Sequence, residues 1–237
     1  MPGVALANPS LAGAAGQYPE ARAALVDLVR GAPRRLVDLG CGNGATASVA
    51  KRRFPLAEVI GIEQNPAAAH LAAERLDRVV TASIENIDYD AHGIGSGSID
   101  VAFLLDVLEH LYDPWDVLSR LRPRLAAQGQ LIASIPNVRN YWLLSRLLED
   151  GNFSYAANGL LDITHIRFFT RLEIVRMFAE TGYRITSLTS IFDDRVPEVI
   201  PIGGEASVSS KFVLRNLTDD DVTELRTLQF YVVAARA

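Results

Sequence analysis

The stretch LVDLGCGNGAT, residues 36 to 46, restricts the possible folds more than any other part of the chain. An apolar run, RRLVDLG, breaks at Gly40, Gly42 and Gly44, and a helical pattern, GATASVAKRRF, starts at once. Strand, glycine turn and helix in that order make a βα unit. Its glycines let the backbone turn tightly and come close to a ligand at the helix N-terminus. Glycine is common in turns, so the triplet alone decides little. Two details sharpen it. The spacing is G-x-G-x-G with Asp38 ahead of it, not the dinucleotide G-x-G-x-x-G. Glu63 closes the next apolar run, AEVIGIEQ, about 20 residues on, where a carboxylate can accept both hydroxyls of a ribose.

From there the alternation continues. The helix PAAAHLAAERL is followed by the strand-like RVVTAS and SIDVAFLLD, then by the helix PWDVLSRLRPRLAAQG and a fifth strand, GQLIASIPN. Pro114 opens that helix at little cost, because the N–H it lacks would have no partner there. Ahead of the glycine turn, PEARAALVDLVRG predicts a helix ending at Gly31. RLEIVRMFAETGY predicts an amphipathic helix with Gly182 past its end, and RITSLTSI and QFYVVAARA read as strands. This order specifies an α/β domain with a mostly parallel sheet and helices on both faces.

Two stretches break the rhythm. Residues 138 to 170 are long for a plain connection, which in a compact domain marks function or disorder. Tyr141, Trp142, Phe153, Tyr155, Phe168 and Phe169 argue for order. Those aromatics suit the core of a small cap or a stacking platform for sugars, the former being the commoner use. Residues 192 to 228 are irregular apart from TDDDVTELRTL, a helix led by Thr218, and offer a surface for self-association. The expected organisation is a flexible lead over residues 1–17, Ala/Gly-rich and unlike a signal peptide, then one domain over 18–237 with insertions at 138–170 and 192–228.

With 237 residues, 49% of them apolar, the chain can bury one sizeable core. A net charge of −5 without a dense Lys/Arg block argues against a nucleic-acid partner held by bulk electrostatics. The single cysteine, Cys41, precludes an internal disulfide and fits a reducing cytoplasm. No apolar run reaches the roughly 18 to 20 residues that a membrane span needs. The expectation is a cytoplasmic protein with a small-molecule or glycan partner.

The segment DVLEHLYDPWDVL, residues 106 to 118, places Asp106, Glu109 and His110 directly after the apolar run IDVAFLL. Their i, i+3, i+4 spacing puts all three on one face of a helical turn. That turn lies at the carboxyl edge of the sheet, where open α/β folds bind ligands. His165, in LDITHIRFF, belongs to the first excursion and can close over the same edge. Together Asp106, Glu109, His110 and His165 make a plausible divalent-cation set. A second reading needs no metal: Asp106 binds a cofactor, Glu109 caps a helix, and His110 or His165 faces substrate. His70 and His92 carry no partner signal and read as surface residues. Asn137 and Arg139, just past the fifth strand, are expected to face an acceptor.

On VDLGCGNG, Glu63 and TASIEN the chain resembles the class I S-adenosylmethionine-dependent methyltransferases. The resemblance implies a Rossmann-like, seven-stranded, mostly parallel sheet closed by an antiparallel last strand, QFYVVAARA. It implies that Asp38, Gly40, Cys41, Gly42 and Gly44 form the loop against the amino-acid part of the cofactor, and that Glu63 with Gln64 meets the ribose. Ser83, Ile84 and Glu85 fall where the family contacts adenine, although the family often has Asp at the position of Ser83. Asp106 falls beside the methionine end.

DVLEHLYDPWDVL, SIPNVRNYWLL and GLLDITHIRFFTRLEI further resemble a bacterial subgroup associated with polysaccharide and natural-product assembly. The first piece is also similar to ubiquinone-pathway O-methyltransferases and to small-RNA 3′-end 2′-O-methyltransferases, in which such a run plus a distant His holds a divalent metal. All three act on an oxygen nucleophile. The implied activity is methyl transfer from S-adenosylmethionine to a hydroxyl of a sugar, glycan or related small molecule, with Mg²⁺ or Mn²⁺ as an optional aid. A quinone, polyketide or RNA 3′-end acceptor, or a cofactor-binding regulator without catalysis, are the alternatives.

Overall fold

The computed structural model describes residues 21–196, 205–207 and 211–237. The expected flexible lead over residues 1–17 lies outside the described residues, as does part of the second excursion.

Seven strands form one sheet: β1 (Arg35–Leu39), β2 (Glu58–Glu63), β3 (Arg78–Thr81), β4 (Ile99–Leu105), β5 (Leu125–Pro136), β6 (Tyr183–Phe192) and β9 (Thr227–Arg236). Their order is β3-β2-β1-β4-β5-β9-β6. Strands β1 to β5 pair in parallel, and β9 runs antiparallel to both β5 and β6. This is the expected Rossmann-like α/β fold. The central strands are buried on both faces, which is why LVDL, VIGIE and VAFL carry no polar/apolar alternation. Chain order reverses between β1 and β4, and their carboxyl ends part to leave a crevice.

The helices are α1 (Ala23–Val26), α2 (Ala45–Arg53), α3 (Pro66–Ala73), α4 (Pro114–Leu121), α5 (Tyr141–Asp150), α6 (Arg171–Glu180) and α7 (Asp219–Arg226). A small ribbon, β7 (Ala206–Ser207) with β8 (Val213–Leu214), lies in the second excursion.

Three elements differ from the sequence expectation. Regular helix in the first segment is confined to α1, and the chain continues in tighter turns through Leu28 N–H to Leu25 O and Val29 N–H to Val26 O. Those turns still bury Leu25, Val26 and Val29, so the apolar spacing is served without a long helix. Helix α4 stops at Leu121, because Pro123 cannot continue it; a short 3-10 turn over Arg122–Arg124 leads straight into β5. The residues LAAQG therefore belong to the strand, not the helix. The first excursion contains α5, whose ends carry ordinary stop signals: Asn140 accepts from the amides of Trp142 and Leu143, and Gly151 closes it at φ 62°.

The two excursions form one cap. Tyr141, Trp142 and Leu144 pack with Leu217, Val222 and Leu225, and the Trp142 ring is flanked by Arg195 at 4.0 Å and Arg146 at 4.8 Å. Phe153 meets Phe168 edge-on. Most of the aromatics are thus cap core. Asn137 and Arg139 do not face an acceptor. Asn137, fully buried, donates to the carbonyls of Glu224 (2.7 Å) and Thr227 (2.9 Å), and Arg139 pairs with Asp221 and Glu224. Both tie the end of β5 to α7, because the antiparallel insertion of β9 brings that helix beside them.

Removing the Asn137 side chain breaks three hydrogen bonds, two to the carbonyls of Glu224 and Thr227 and one accepted from Arg139 N–H, each worth about 0.5–1.5 kcal/mol net. Asn137→Ala is expected to lower the unfolding free energy by about 2–4 kcal/mol in urea denaturation, with the denaturant slope unchanged.

Candidate functional site

A cleft of about 190 Å³ opens at the carboxyl ends of β1, β2 and β4, lined by Gly40, Glu63, Gln64, Ser83, Ile84, Asp106 and His110 among others. The glycine turn is shaped by close approach. Gly40, at φ 74°, lies against Val107, where a Cβ would come within 2.7 Å of a methyl. Gly44, at φ 74°, sits directly ahead of α2 and against Ala72 of α3. Cys41 lies in the same turn, and burial pushes its thiol above the usual range, which disfavours the nucleophilic thiolate. Glu63 holds the turn from the side: one oxygen accepts from Gly42 N–H at 2.9 Å, the other from Asn65 N–H at 2.7 Å. A carboxylate has about four lone-pair directions, so Glu63 keeps acceptor capacity toward the cleft.

Asp38 is 3% exposed. Burial, and then the neighbouring Glu63 charge, raise its carboxyl from 3.8 to about 7. A cation placed near it would favour the ionised form.

Asp106 adopts a left-handed backbone, φ 54°, uncommon outside glycine. The bend takes its side chain away from the 3-10 turn Leu108–His110 that carries the rest of the motif. Its carboxylate accepts from Ser134 Oγ–H at 2.6 Å and pairs with Arg22, whose guanidinium also donates to Ser134 Oγ at 3.0 Å. Arg22 N–H in turn donates to Thr46 Oγ1, so the segment before α1 spans the mouth between the glycine turn and β5. Neither Arg22 nor Ser134 was expected. Ser134 is a polar residue inside the apolar run LIASIP, which is a usable signal; Arg22 reaches Asp106 across 84 residues, and no local pattern announces that.

Glu109, His110 and His165 converge. A carboxylate oxygen and one ring nitrogen from each histidine lie within 4.8 Å of one another. The imidazole centroids are 4.7 Å apart, and His165 Nε2 is 3.9 Å from Glu109 Oε1. Asp106, the fourth expected ligand, is not in this group.

Glu109 is 1% exposed and neither carboxylate oxygen has a hydrogen-bond partner. Burial, and then the Asp106 charge, push its carboxyl well above the usual range. Each imidazole commits Nδ1 to a carbonyl: His110 to Thr164 O at 3.1 Å, His165 to Leu160 O at 3.1 Å. A carbonyl only accepts, so Nδ1 carries the proton and each Nε2 presents a lone pair. Burial, and then His110, lower the basicity of His165 and keep it neutral. Once Glu109 gives up its proton the site gathers acceptors only, which is what a cation requires.

Glu85 also lines the cleft, and one of its carboxylate oxygens accepts from Tyr112 N–H and Asp113 N–H at 2.9 and 3.2 Å, fixing the loop after His110. Ser83 Oγ accepts from Glu85 N–H. Among the described residues, no helix is long and apolar enough to cross a membrane.

A model of the methyltransferase-domain family matches residues 14–188. A trans-aconitate 2-methyltransferase of Methylobacterium radiotolerans is 35% identical over 106 residues, covering 45% of this chain and 39% of that protein. A ubiquinone biosynthesis O-methyltransferase of Psychrobacter arcticus is 28% identical over 165 residues, covering 64% of this chain and 60% of the other. The chain thus spans well under two thirds of the first of these relatives. A possible histamine N-methyltransferase from Thermotoga maritima superposes with a TM-score of 0.59 at 17% identity, over 90% of this chain and 86% of that one. That likeness is one of fold.

The raised Asp38 carboxyl has a measurable consequence. Between pH 4 and about 7 the folded protein keeps a proton that the unfolded chain releases. Stability contributed by the protonated form is therefore lost as pH rises through that window. Asp38→Asn removes the buried charge and is expected to be more stable than the parent at pH 8 by on the order of 3 kcal/mol. The advantage shrinks toward zero at pH 4, as read by urea denaturation at both pH values.

Proposed function

This chain belongs to the methyltransferase-domain family as a class I S-adenosylmethionine-dependent methyltransferase, and from that premise we propose that it methylates a hydroxyl of a sugar, glycan or related small molecule with the help of a divalent cation. The observation that carries the proposal is the buried, unpartnered Glu109 carboxylate facing two imidazoles whose remaining nitrogens are both acceptors.

S-adenosylmethionine, when bound, supplies a methyl group on a sulfonium and a zwitterionic amino-acid tail. Gly40, Cys41 and Gly42 bring backbone to that tail, and Glu63 takes the ribose hydroxyls on its unused lone pairs, with Gln64 beside it. Ser83 and Ile84 line the adenine side. Arg22 and Asp106 neutralise each other in the free protein; one matches an α-carboxylate, the other an α-ammonium, so the tail can replace the pair without net charge cost. The edge carries Glu63 and Asp106 against Arg22, and Asp38 and Glu109 ionise when positive charge arrives, which suits a cationic cofactor and disfavours a polyanionic acceptor.

Glu109, His110 and His165 would hold a divalent cation, which would supply Lewis acidity toward an acceptor hydroxyl. Two imidazoles and one carboxylate favour Mn²⁺, Fe²⁺ or Zn²⁺ over Mg²⁺. An oxygen acceptor is supported by the subgroup resemblance of the three motifs and by the O-methyltransferase activity named for the Psychrobacter relative. The glycan class rests on the motifs alone. A second reading has His110, which lines the cleft, acting as general base without an ion.

Calorimetry with S-adenosylhomocysteine is expected to show binding in the parent and a loss of roughly ten- to a hundredfold in Glu63→Ala, since hydrogen bonds to a charged group are worth about 1.5–3 kcal/mol. Transfer of labelled methyl to a panel of glycosides, catechols and polycarboxylates identifies the acceptor. In excess chelator, and in His165→Ala, turnover is expected to drop roughly a hundredfold or more, with cofactor affinity kept. Full turnover in chelator combined with an inactive His110→Ala selects the general-base reading.

A further inference from the structure

The two imidazoles are positioned by a third residue. We infer that Asp162, acting through Thr164, is the positioning residue that sets the His110 tautomer and holds the turn delivering His165, an inference that rests on the reading of these histidines as working groups.

Asp162 Oδ1 accepts twice from Thr164, from its N–H at 2.8 Å and from its hydroxyl at 2.6 Å. With that hydrogen given to Asp162, Thr164 Oγ1 offers His110 Nδ1 only a lone pair, at 3.0 Å. Thr164 O, at 3.1 Å, is an acceptor by nature. His110 Nδ1 therefore faces two acceptors and must carry the proton, which leaves Nε2 as a lone pair. Were Asp162 absent, the hydroxyl would be free to turn and donate to Nδ1. The opposite tautomer would then compete, and its Nε2–H would repel a cation or fail to take a proton.

The same residue shapes the turn. Asp162 O accepts from His165 N–H at 2.9 Å, and Asp162 N–H donates to Gly159 O at 3.0 Å. His165 is thereby brought round so that Nδ1 meets Leu160 O. The turn is sewn to the sheet edge by Ile166 N–H and Arg167 N–H, which both donate to Glu109 O at 3.0 Å. Asp162 thus acts on one histidine through its carboxylate, by way of Thr164, and on the turn that carries the other through its main chain. Partners of this kind govern metal affinity by roughly ten- to a hundredfold when removed. A residue that merely formed the local turn would leave the His110 tautomer unchanged.

The test reads the tautomer directly, with no acceptor or ion present. Long-range ¹H–¹⁵N correlation on ¹⁵N-histidine-labelled protein at pH 8 is expected to show Nδ1–H on His110 and His165. Asp162→Ala is expected to give mixed tautomers at His110 and roughly ten- to a hundredfold weaker Mn²⁺ binding by calorimetry, with S-adenosylhomocysteine affinity unchanged. Asp162→Asn, which keeps the acceptor oxygen, is expected to restore both. Thr164→Val removes the one hydroxyl that could donate to Nδ1 and leaves the carbonyl, so it is expected to keep Nδ1–H on His110, alone and combined with Asp162→Ala, which keeps the test open if Asp162→Ala alone fails to fold. Nε2–H on His110 in the parent, an unchanged tautomer in Asp162→Ala, or a shift toward Nε2–H in Thr164→Val overturns the assignment. A parent protein with the expected tautomers but no Mn²⁺ binding sinks the metal reading and leaves the assignment of Asp162 standing.

Discussion

Carboxylates crowded onto one edge of a sheet have to be compensated, and the site is organised around how that happens. Asp38, Glu63, Asp106 and Glu109 all come to the carboxyl ends of β1, β2 and β4, and two of them are almost wholly buried. Each is handled differently. Glu63 is satisfied by backbone amides, and Asp106 by Arg22 and Ser134. Asp38 and Glu109 are held up in pKa by burial. Such an arrangement costs stability in the free protein and returns it when positive charge arrives. A sulfonium cofactor on one side and a divalent ion on the other are charges of the right sign at the right places.

The cap matters because it completes this edge. The sheet supplies Glu109 and His110 but not His165, which arrives from an excursion anchored at both ends. Asn137 and Arg139 fasten its start to α7, and the Glu109 carbonyl fastens its end through Ile166 and Arg167. Asn140 adds a bond to Asp193, and Arg195, paired with Asp193, lies over Trp142. The second excursion therefore braces the first. The acceptor side is built from parts far apart in the chain yet rigidly joined.

How much of this was legible follows from the range of the interactions involved. The strands and glycine turn were readable because their signals are local: unbroken apolar runs, glycines at a strand end, Thr218 three residues before Asp221 in a capping box. The convergence of Glu109, His110 and His165 was readable as a possibility, because the topology puts the fourth strand's end at the ligand edge. Helix α5 was hidden by dense apolar residues, though Asn140 and Gly151 mark its ends. Asp106 was misplaced by assuming a helical turn, whereas its left-handed backbone sends it toward Arg22. Arg22 itself and the role of Asp162 depend on contacts spanning tens of residues, and periodicity says nothing about those.

The central claim is that Glu109, His110 and His165 share one cation beside the cofactor cleft. Anomalous diffraction from crystals grown with Mn²⁺ and S-adenosylhomocysteine tests it most directly. The account predicts one strong peak bonded to a Glu109 oxygen and to Nε2 of both histidines, with the cofactor product seated on the glycine turn. A cleft holding S-adenosylhomocysteine with no peak between the three side chains would contradict it.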